Sequence, residues 1–191
     1  MRVMTGAHLW ILSAPSGAGK TMLCRRLVTV ARSSGWDVAG LITPAVCSGG
    51  IKIGIDAVAP RNMASRRLAQ NTPSLVFNQP VGRQWHFDST AVAWGDRQIA
   101  LSTPCDLLII DELGPLEFQH SQGWVSAFDA LGGGRYRLGI VVVRPDLIAE
   151  ARQRLPVWGV IEPDAAPFTD EALHAWIQAL ALGAASTRSI G

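Results

Sequence analysis

The sequence predicts an α/β fold in which a mostly parallel sheet of about five strands is flanked by helices in three layers. Three observations carry that expectation. Apolar runs of strand length alternate with segments whose apolar residues recur at helical spacing. One run, Asp106-Leu107-Leu108-Ile109-Ile110-Asp111, is apolar throughout between two acids, as in a central strand covered on both faces. The first run, His8–Ser13, leads into a turn-rich segment and then straight into a helical pattern.

Taken in order, His8–Ser13 is the first strand and Ala14–Gly19 a loop. From Lys20 the period turns helical: Leu23, Leu27, Val30 and Ala31 share a face, Arg25, Arg26 and Arg32 lie off it, and Gly35 is a good stop. Val38–Thr43 closes a β-loop-α-β unit. Residues 44–103 then read as a small β-rich excursion with a connecting helix. Within it Ile51, Ile53, Ile55 and Ala57 alternate with Lys52, Gly54 and Asp56, a strand with one wet face. Arg61–Gln70 reads as a short helix, and Asn71–Arg83, with Pro73 and Pro80, as a loop. Gln84–Asp88 reads as a strand and Ser89–Leu101 as the connecting helix.

The alternation resumes at the 106–111 run. Trp124, Phe128 and Leu131, spaced i, i+4, i+7, predict a helix ended by Gly132-Gly133-Gly134. Leu138–Val143 is a buried strand running into Arg144-Pro145, Asp146–Arg154 a helix, Val157–Ile161 a short strand and Thr169–Leu182 a last helix. Asp170 and Glu171 suit its first turn. Residues 183–191 are small and polar and read as a loose tail. At 191 residues, against roughly 150 per domain, residues 1–182 are expected to form a single domain.

Composition narrows the function classes. Hydrophobic residues are 48% and charged residues 17%, which excludes a disordered chain. Lys+Arg 17 against Asp+Glu 15 leaves a net charge of +2, with no basic surplus to attract nucleic acid or anionic lipid. Lysine occurs only as Lys20 and Lys52; the other basic residues are arginine. Cys24, Cys47 and Cys105 form no CxxC pair, so neither a disulfide framework nor a zinc knuckle is expected, and Cys24 on the first helix reads as an apolar filler. No apolar run approaches the ~20 residues of a membrane span. A soluble cytoplasmic protein without membrane or nucleic-acid partners is the expectation.

Two segments carry chemistry. Ala14-Pro15-Ser16-Gly17-Ala18-Gly19-Lys20-Thr21 fits the phosphate-binding P-loop pattern, in the form with Ala rather than Gly at its first position. Small residues let successive backbone N–H groups curl round a phosphate, and the following helix turns its positive end to the same place. Residues Pro15, Ser16, Gly17, Ala18, Gly19, Lys20, Thr21 and Met22 are therefore the expected nucleotide cradle. Lys20 supplies a mobile charge for the β- and γ-phosphates, and the Thr21 hydroxyl a ligand for Mg²⁺. The second segment, Leu108-Ile109-Ile110-Asp111-Glu112, is a Walker B pattern: an apolar strand that delivers two acids at its C-terminal end, where ligands of open α/β sheets sit. Asp111 is the expected partner of Thr21 at Mg²⁺, and Glu112 the expected base for an attacking water. The spacing of the two motifs leaves room for a strand between theirs, as in the additional-strand P-loop class.

Asp111-Glu112-Leu113-Gly114-Pro115-Leu116-Glu117 resembles the Asp-Glu-Ile-Gly-x-Met-Glu signature of the THEP1-type nucleoside-triphosphatases, small cytosolic P-loop proteins. Gly40-Leu41-Ile42-Thr43-Pro44 is similar to that family's Gly-Phe-x-Thr-x-Glu segment, and Gly49-Gly50-Ile51-Lys52-Ile53-Gly54-Ile55-Asp56 to its Gly-x-Arg-x-Gly-Phe-x-Ile stretch. Val81-Gly82 matches the Val-Gly before its next strand. The resemblance covers residues 8 to 165. Pro115 stands where a basic residue is frequent, and Ala45 or Val46 where an acid is usual, so roles at those points do not carry over. The resemblance implies hydrolysis of nucleoside triphosphates to diphosphate and phosphate with little base preference, while the two motifs themselves put Lys20 and Glu112 in catalysis.

Other residues keep two readings. Glu117 either braces the turn after the Walker B strand or is a surface acid. Arg144, ending a strand, is either a γ-phosphate sensor or part of a structural ion pair. Arg61, Arg66, Arg67 and Arg97 read as surface arginines with some reach toward phosphate or base. His86 reads as a packed histidine, and most tryptophans as core, with Trp85 or Trp94 as candidates for stacking on a base. A nucleotide or small-molecule kinase and a nucleotide-gated switch with slow turnover would use the same cradle.

Overall fold

The computed structural model describes residues 6–76, 79–166 and 169–184. The elements run β1 (His8–Leu12), α1 (Lys20–Ser33), β2 (Val38–Leu41), β3 (Ala45–Ser48), β4 (Ile51–Ala59), β5 (Ala64–Val76) and β6 (Gln79–Phe87). They continue α2 (Ser89–Ala100), β7 (Leu107–Leu113), α3 (Pro115–His120), α4 (Ser126–Gly132), β8 (Leu138–Val143), α5 (Ile148–Arg154), β9 (Val157–Ile161) and α6 (Asp170–Ala181). The tail residues 185–191 lie outside the described residues.

A five-stranded sheet in the order β2-β7-β8-β1-β9 has every pairing parallel. Successive side chains of a strand point to opposite faces, and here both faces are covered. Leu9, Ile11, Leu41, Leu108, Ile110 and Val141 pack with Ala91, Ile99, Ala127, Leu131 and Ala151 of α2, α4 and α5. Trp10, Leu12, Val38, Leu107, Ile109 and Ile140 pack on the other side with Leu23, Leu27, Leu173, Ile177 and Leu180 of α1 and α6. This is why Leu9–Leu12, Leu107–Ile110 and Leu138–Val143 are unbroken apolar runs. β8 lies between β1 and β7 in the sheet, so a strand does stand between those of the two motifs, but it comes from Leu138–Val143, beyond the stretch of chain that separates them.

At one edge β2 closes tightly on β7. Gly40 has φ +110, and a Cβ built on it would stand 1.9 Å from the Ile109 carbonyl oxygen.

The excursion is a second, antiparallel sheet, β3-β4-β5-β6, and it corrects two expectations. Arg61–Gln70 is not a helix: Ala64 onward is strand β5, paired with β4. The register shifts between Ile55 and Asp56, and Leu68 and Ala69 are buried in succession. That bulge destroys the two-residue alternation by which the strand would have been recognised. Asn71–Arg83 is not a loop, since 71–76 and 79–83 belong to β5 and β6. Beyond Gln70 β5 pairs with β6 alone, and a strand with an unpaired side tolerates Pro73. Smaller differences follow. Trp124 precedes α4 rather than lying in it, and Asp146 belongs to a 3-10 turn before α5.

Arg61 pins the excursion to the core at the end of the sheet where β2 begins. It donates to both Asp37 carboxylate oxygens, at 3.0 and 2.9 Å, and to the carbonyl oxygens of Leu101, Ser102 and Pro104 at 2.8–2.9 Å. The planar guanidinium satisfies several acceptors at once. Arg61→Ala is expected to lower stability by about 1–2 kcal/mol, read as a shift in urea midpoint at constant m. An unchanged midpoint would show that water replaces the arginine at no cost.

Among the described residues no helix is long and apolar enough to cross a membrane.

Candidate functional site

The C-terminal ends of β1, β7 and β8 meet the start of α1. After β1 the chain leaves the sheet at Ser13, whose N–H donates to the Ile161 carbonyl at 3.0 Å. It returns through a loop in which Gly17 and Gly19 have φ +83 and +84, conformations that L side chains rarely adopt. Gly19 is the N-cap of α1 and offers no side-chain cap, so the first amides of this 14-residue helix are left to whatever fills the loop. Lys20 folds back across the loop, its Nζ donating to Ala14 O at 2.7 Å and Pro15 O at 2.8 Å. The Ala18 N–H donates to Pro15 O at 3.3 Å. Pro15 and Ala18 thus shape the loop from within, while Ser16, Gly17, Gly19, Lys20, Thr21 and Met22 face the cleft.

Asp111 is 1% exposed at the end of the apolar part of β7. Thr21 Oγ1 donates to its Oδ1 at 3.2 Å. Its Oδ2 accepts from the Thr43 N–H at 3.0 Å and the Thr43 hydroxyl at 3.1 Å. Burial raises the Asp111 pKa, while the two threonines and the Lys20 charge pull it down. Thr43 received no role from the sequence, although the Gly40–Pro44 segment had been matched. The missing fact was adjacency: β2 pairs with β7, so the residues just past β2 come level with Asp111.

Glu112 follows with φ +86, a left-handed conformation for a residue that has a Cβ. Such strain costs about 1–3 kcal/mol and persists only where surrounding structure enforces it. Here the turn after β7 is braced by Glu117, which is 7% exposed. Glu117 Oε2 accepts from the Gly114 N–H at 2.9 Å and Oε1 from the Trp124 N–H at 3.1 Å. Of its two readings the brace is the one the geometry favours. The Glu112 carboxyl is raised above the ordinary glutamate range by desolvation in the cleft and by the Asp111 charge, against Lys52, Lys20 and Arg144.

Lys20, Thr21, Asp111 and Glu112 line one cavity of about 540 Å³, which Arg144, Asp146 and Lys52 complete. Arg144 Nη2 is 3.6 Å from Asp146 Oδ2, so it reaches the cavity and an ion pair together. Lys52 comes from β4 in the antiparallel sheet; sequence reasoning placed it at a polar position of a strand, within a segment similar to the family's, and gave it no role. The remaining candidates lie elsewhere. Arg66 stacks on Trp94 at 5.5 Å, and Arg67 Nε pairs with Asp56 at 2.6 Å. Arg97 is exposed on α2 and His86 is exposed rather than packed. Of the tryptophans, Trp10, Trp36 and Trp124 are buried, Trp85, Trp94 and Trp176 half-buried and Trp158 exposed, so fewer are core than expected.

A family model described as NTPase matches residues 10–155, more than half of the chain. Curated relatives named nucleoside-triphosphatase THEP1 include that of Caldivirga maquilingensis, 28% identical over 131 residues, covering 69% of this chain and 73% of the relative. Those of Pyrobaculum aerophilum and Thermococcus kodakarensis are 36% and 31% identical over 111 and 116 residues, and the chain spans 58% and 63% of their lengths. These matches cover 56% and 58% of this chain. The solution structure of a human cancer-related nucleoside triphosphatase shares the fold, with TM-score 0.59 and 24% identity over 95% of this chain and 100% of that one. With loop, paired acids and sheet order in agreement, the chain belongs to the NTPase family, of the THEP1 type.

Proposed function

We propose that the chain hydrolyses nucleoside triphosphates to diphosphate and phosphate in a Mg²⁺-dependent reaction with little preference among bases. The observation that carries this reading is the meeting of Lys20, Thr21, Asp111 and Glu112, from α1 and β7, in one cavity beside the start of α1.

The loop amides from Ser16 to Thr21 and the start of α1 hold the phosphates, and Lys20 exchanges its two carbonyl partners for phosphate oxygens. Thr21 Oγ1 and Asp111 Oδ1 are hard oxygen donors 3.2 Å apart, a donor set suited to Mg²⁺ that also keeps phosphate and water ligands. The burial that disfavours a lone charge on Asp111 is a second reason that a divalent cation fits there. When bound, Mg²⁺ neutralises phosphate charge. Thr43 holds the far oxygen of Asp111 and so fixes which oxygen faces Thr21. Glu112 takes a proton from water as the water oxygen bonds to the γ-phosphorus; the bond from that phosphorus to the bridging oxygen breaks, and its electron pair leaves with the diphosphate. A carboxyl raised toward neutrality is a better-matched base than an ordinary one.

Broad base use rests on the sequence, which has no Asn/Thr-Lys-x-Asp guanine reader. Phosphate release from Mg·ATP, Mg·GTP and Mg·CTP is expected to agree within about tenfold in kcat/KM, or ~1.4 kcal/mol. Each nucleotide at 100 times its Kd is expected to stabilise the fold by about 2.7 kcal/mol. A thermal melt unmoved by all three would remove nucleotide binding, and a hundredfold preference for one would reveal a dedicated base pocket.

A further inference from the structure

Both lysines of the chain line the same cavity, although every other basic residue except histidine is arginine. Lys20 belongs to the loop. Lys52 comes from the second sheet, two residues past the tight turn Gly49–Gly50, whose φ values of +55 and +77 are those of a two-residue hairpin. Its backbone is anchored: Lys52 pairs with Cys47 on β3, and its carbonyl accepts from Asn71 Nδ2 at 3.3 Å. Its ammonium is not. Among the described residues the ion pairs of Arg26, Arg61, Arg67, Arg137 and Arg144 leave Lys52 out, and Lys52 Nζ instead lies 5.2 Å from the centre of the Trp85 ring.

The other cations of the cavity are already engaged. Lys20 is held by two carbonyls and Arg144 lies 3.6 Å from Asp146. A cation–π contact at an exposed site amounts to only about 0.5–1 kcal/mol, well below a charge-assisted contact to phosphate. A lysine on four rotatable carbons can trade one for the other with its backbone held still.

We propose that Lys52 leaves the Trp85 ring when a triphosphate binds and places its ammonium on the γ-phosphate, as the in-chain cation that neutralises charge developing there during hydrolysis. This rests on the hydrolase reading of the site and adds the antiparallel sheet to the catalytic apparatus. Lys52 takes no part in the proton transfer: the proton of the attacking water goes to Glu112 and the bond electrons to the diphosphate. A diphosphate, lacking the γ-phosphate, leaves Lys52 on Trp85.

Two measurements on the full chain test this. Lys52→Ala is expected to lower kcat for Mg·ATP by about 10²–10³-fold, the cost of deleting one preorganised charge-stabilising group. Its Kd for Mg·ADP stays within about threefold of the parent, and Lys52→Arg restores part of kcat. Separately, the Mg²⁺ complex of the non-hydrolysable β,γ-imido analogue of ATP shifts the emission of the parent but not of Trp85→Phe, and Mg·ADP shifts neither. Parental kcat in Lys52→Ala overturns the proposal. So does an emission change that is equal in the parent and Trp85→Phe. A parent that does not hydrolyse Mg·ATP, yet shows the triphosphate-specific Trp85 shift, refutes the hydrolase reading and leaves the Lys52 contact standing. A parent that shows neither refutes both.

Discussion

Glu112→Gln is expected to lower the rate of triphosphate hydrolysis by about 10²–10⁴-fold, the usual contribution of a positioned general base, while nucleotide affinity stays near the parental value. The two effects separate because they have different sources. On the proposed reading affinity comes from the loop amides, the start of α1 and Lys20, none of which the substitution touches. The glutamine keeps the shape, the φ of +86 and one hydrogen-bonding oxygen, but it cannot accept the proton. The pH profile gives an independent sign. As the proposed base Glu112 acts in its ionised form, and its pKa is raised by desolvation and by Asp111. The parental kcat/KM therefore falls as pH drops through that raised value, and Glu112→Gln lacks this acid limb. Titration with a fluorescent triphosphate analogue beside phosphate-release rates makes the measurement. Parental turnover in Glu112→Gln would remove the base role and favour a nucleotide-gated switch with incidental hydrolysis.

How much of this was legible in the chain depends on whether a role is local or assembled. The loop Ala14–Thr21 and the acids Asp111 and Glu112 are each contiguous, and their chemistry follows from residue type and spacing. The parallel sheet was legible because strands buried on both faces read as unbroken apolar runs. The excursion was not. Its β5 buries Leu68 and Ala69 in succession at a bulge, and past Gln70 it carries Pro73 beside a single partner strand. Neither feature leaves a period to detect. Thr43 and Lys52 were missed for another reason. Thr43 matters because β2 pairs with β7, and Lys52 because a hairpin from a different sheet reaches the cavity. Glu117 was seen with two readings, and the geometry separates them: a carboxylate 7% exposed that accepts from two backbone N–H groups is a brace, not a surface acid.

The same dependence of the site on strand pairing sets the expected result for Gly40→Ala, a loss of about 3 kcal/mol or more together with weakened nucleotide binding. At φ +110 a side chain is strained before any contact is counted, at about 1–3 kcal/mol. The added Cβ would then lie 1.9 Å from Ile109 O, 2.8 Å from Ile109 C and 3.0 Å from Ile109 N. These are backbone atoms of the buried Ile109 inside β7, so no rotamer change relieves the clash. β2 must move off β7, and the pairing Gly40↔Ile109 opens. Thr43 follows β2, so its N–H and hydroxyl retreat from Asp111 Oδ2. A carboxylate left buried without those donors is costly and free to turn from Thr21. Against a total stability of about 5–15 kcal/mol for a domain, a loss of this size leaves a fold that melts early. Gly132→Ala is the control: a Cβ there meets nothing within 4 Å and no positive φ is involved, so stability stays within about 1 kcal/mol of the parent. Urea unfolding of the two variants, with and without Mg·ATP, makes the comparison. A Gly40→Ala protein as stable as Gly132→Ala, with parental nucleotide stabilisation, would show that β2 yields without disturbing Asp111, and would sever the link drawn between sheet edge and site.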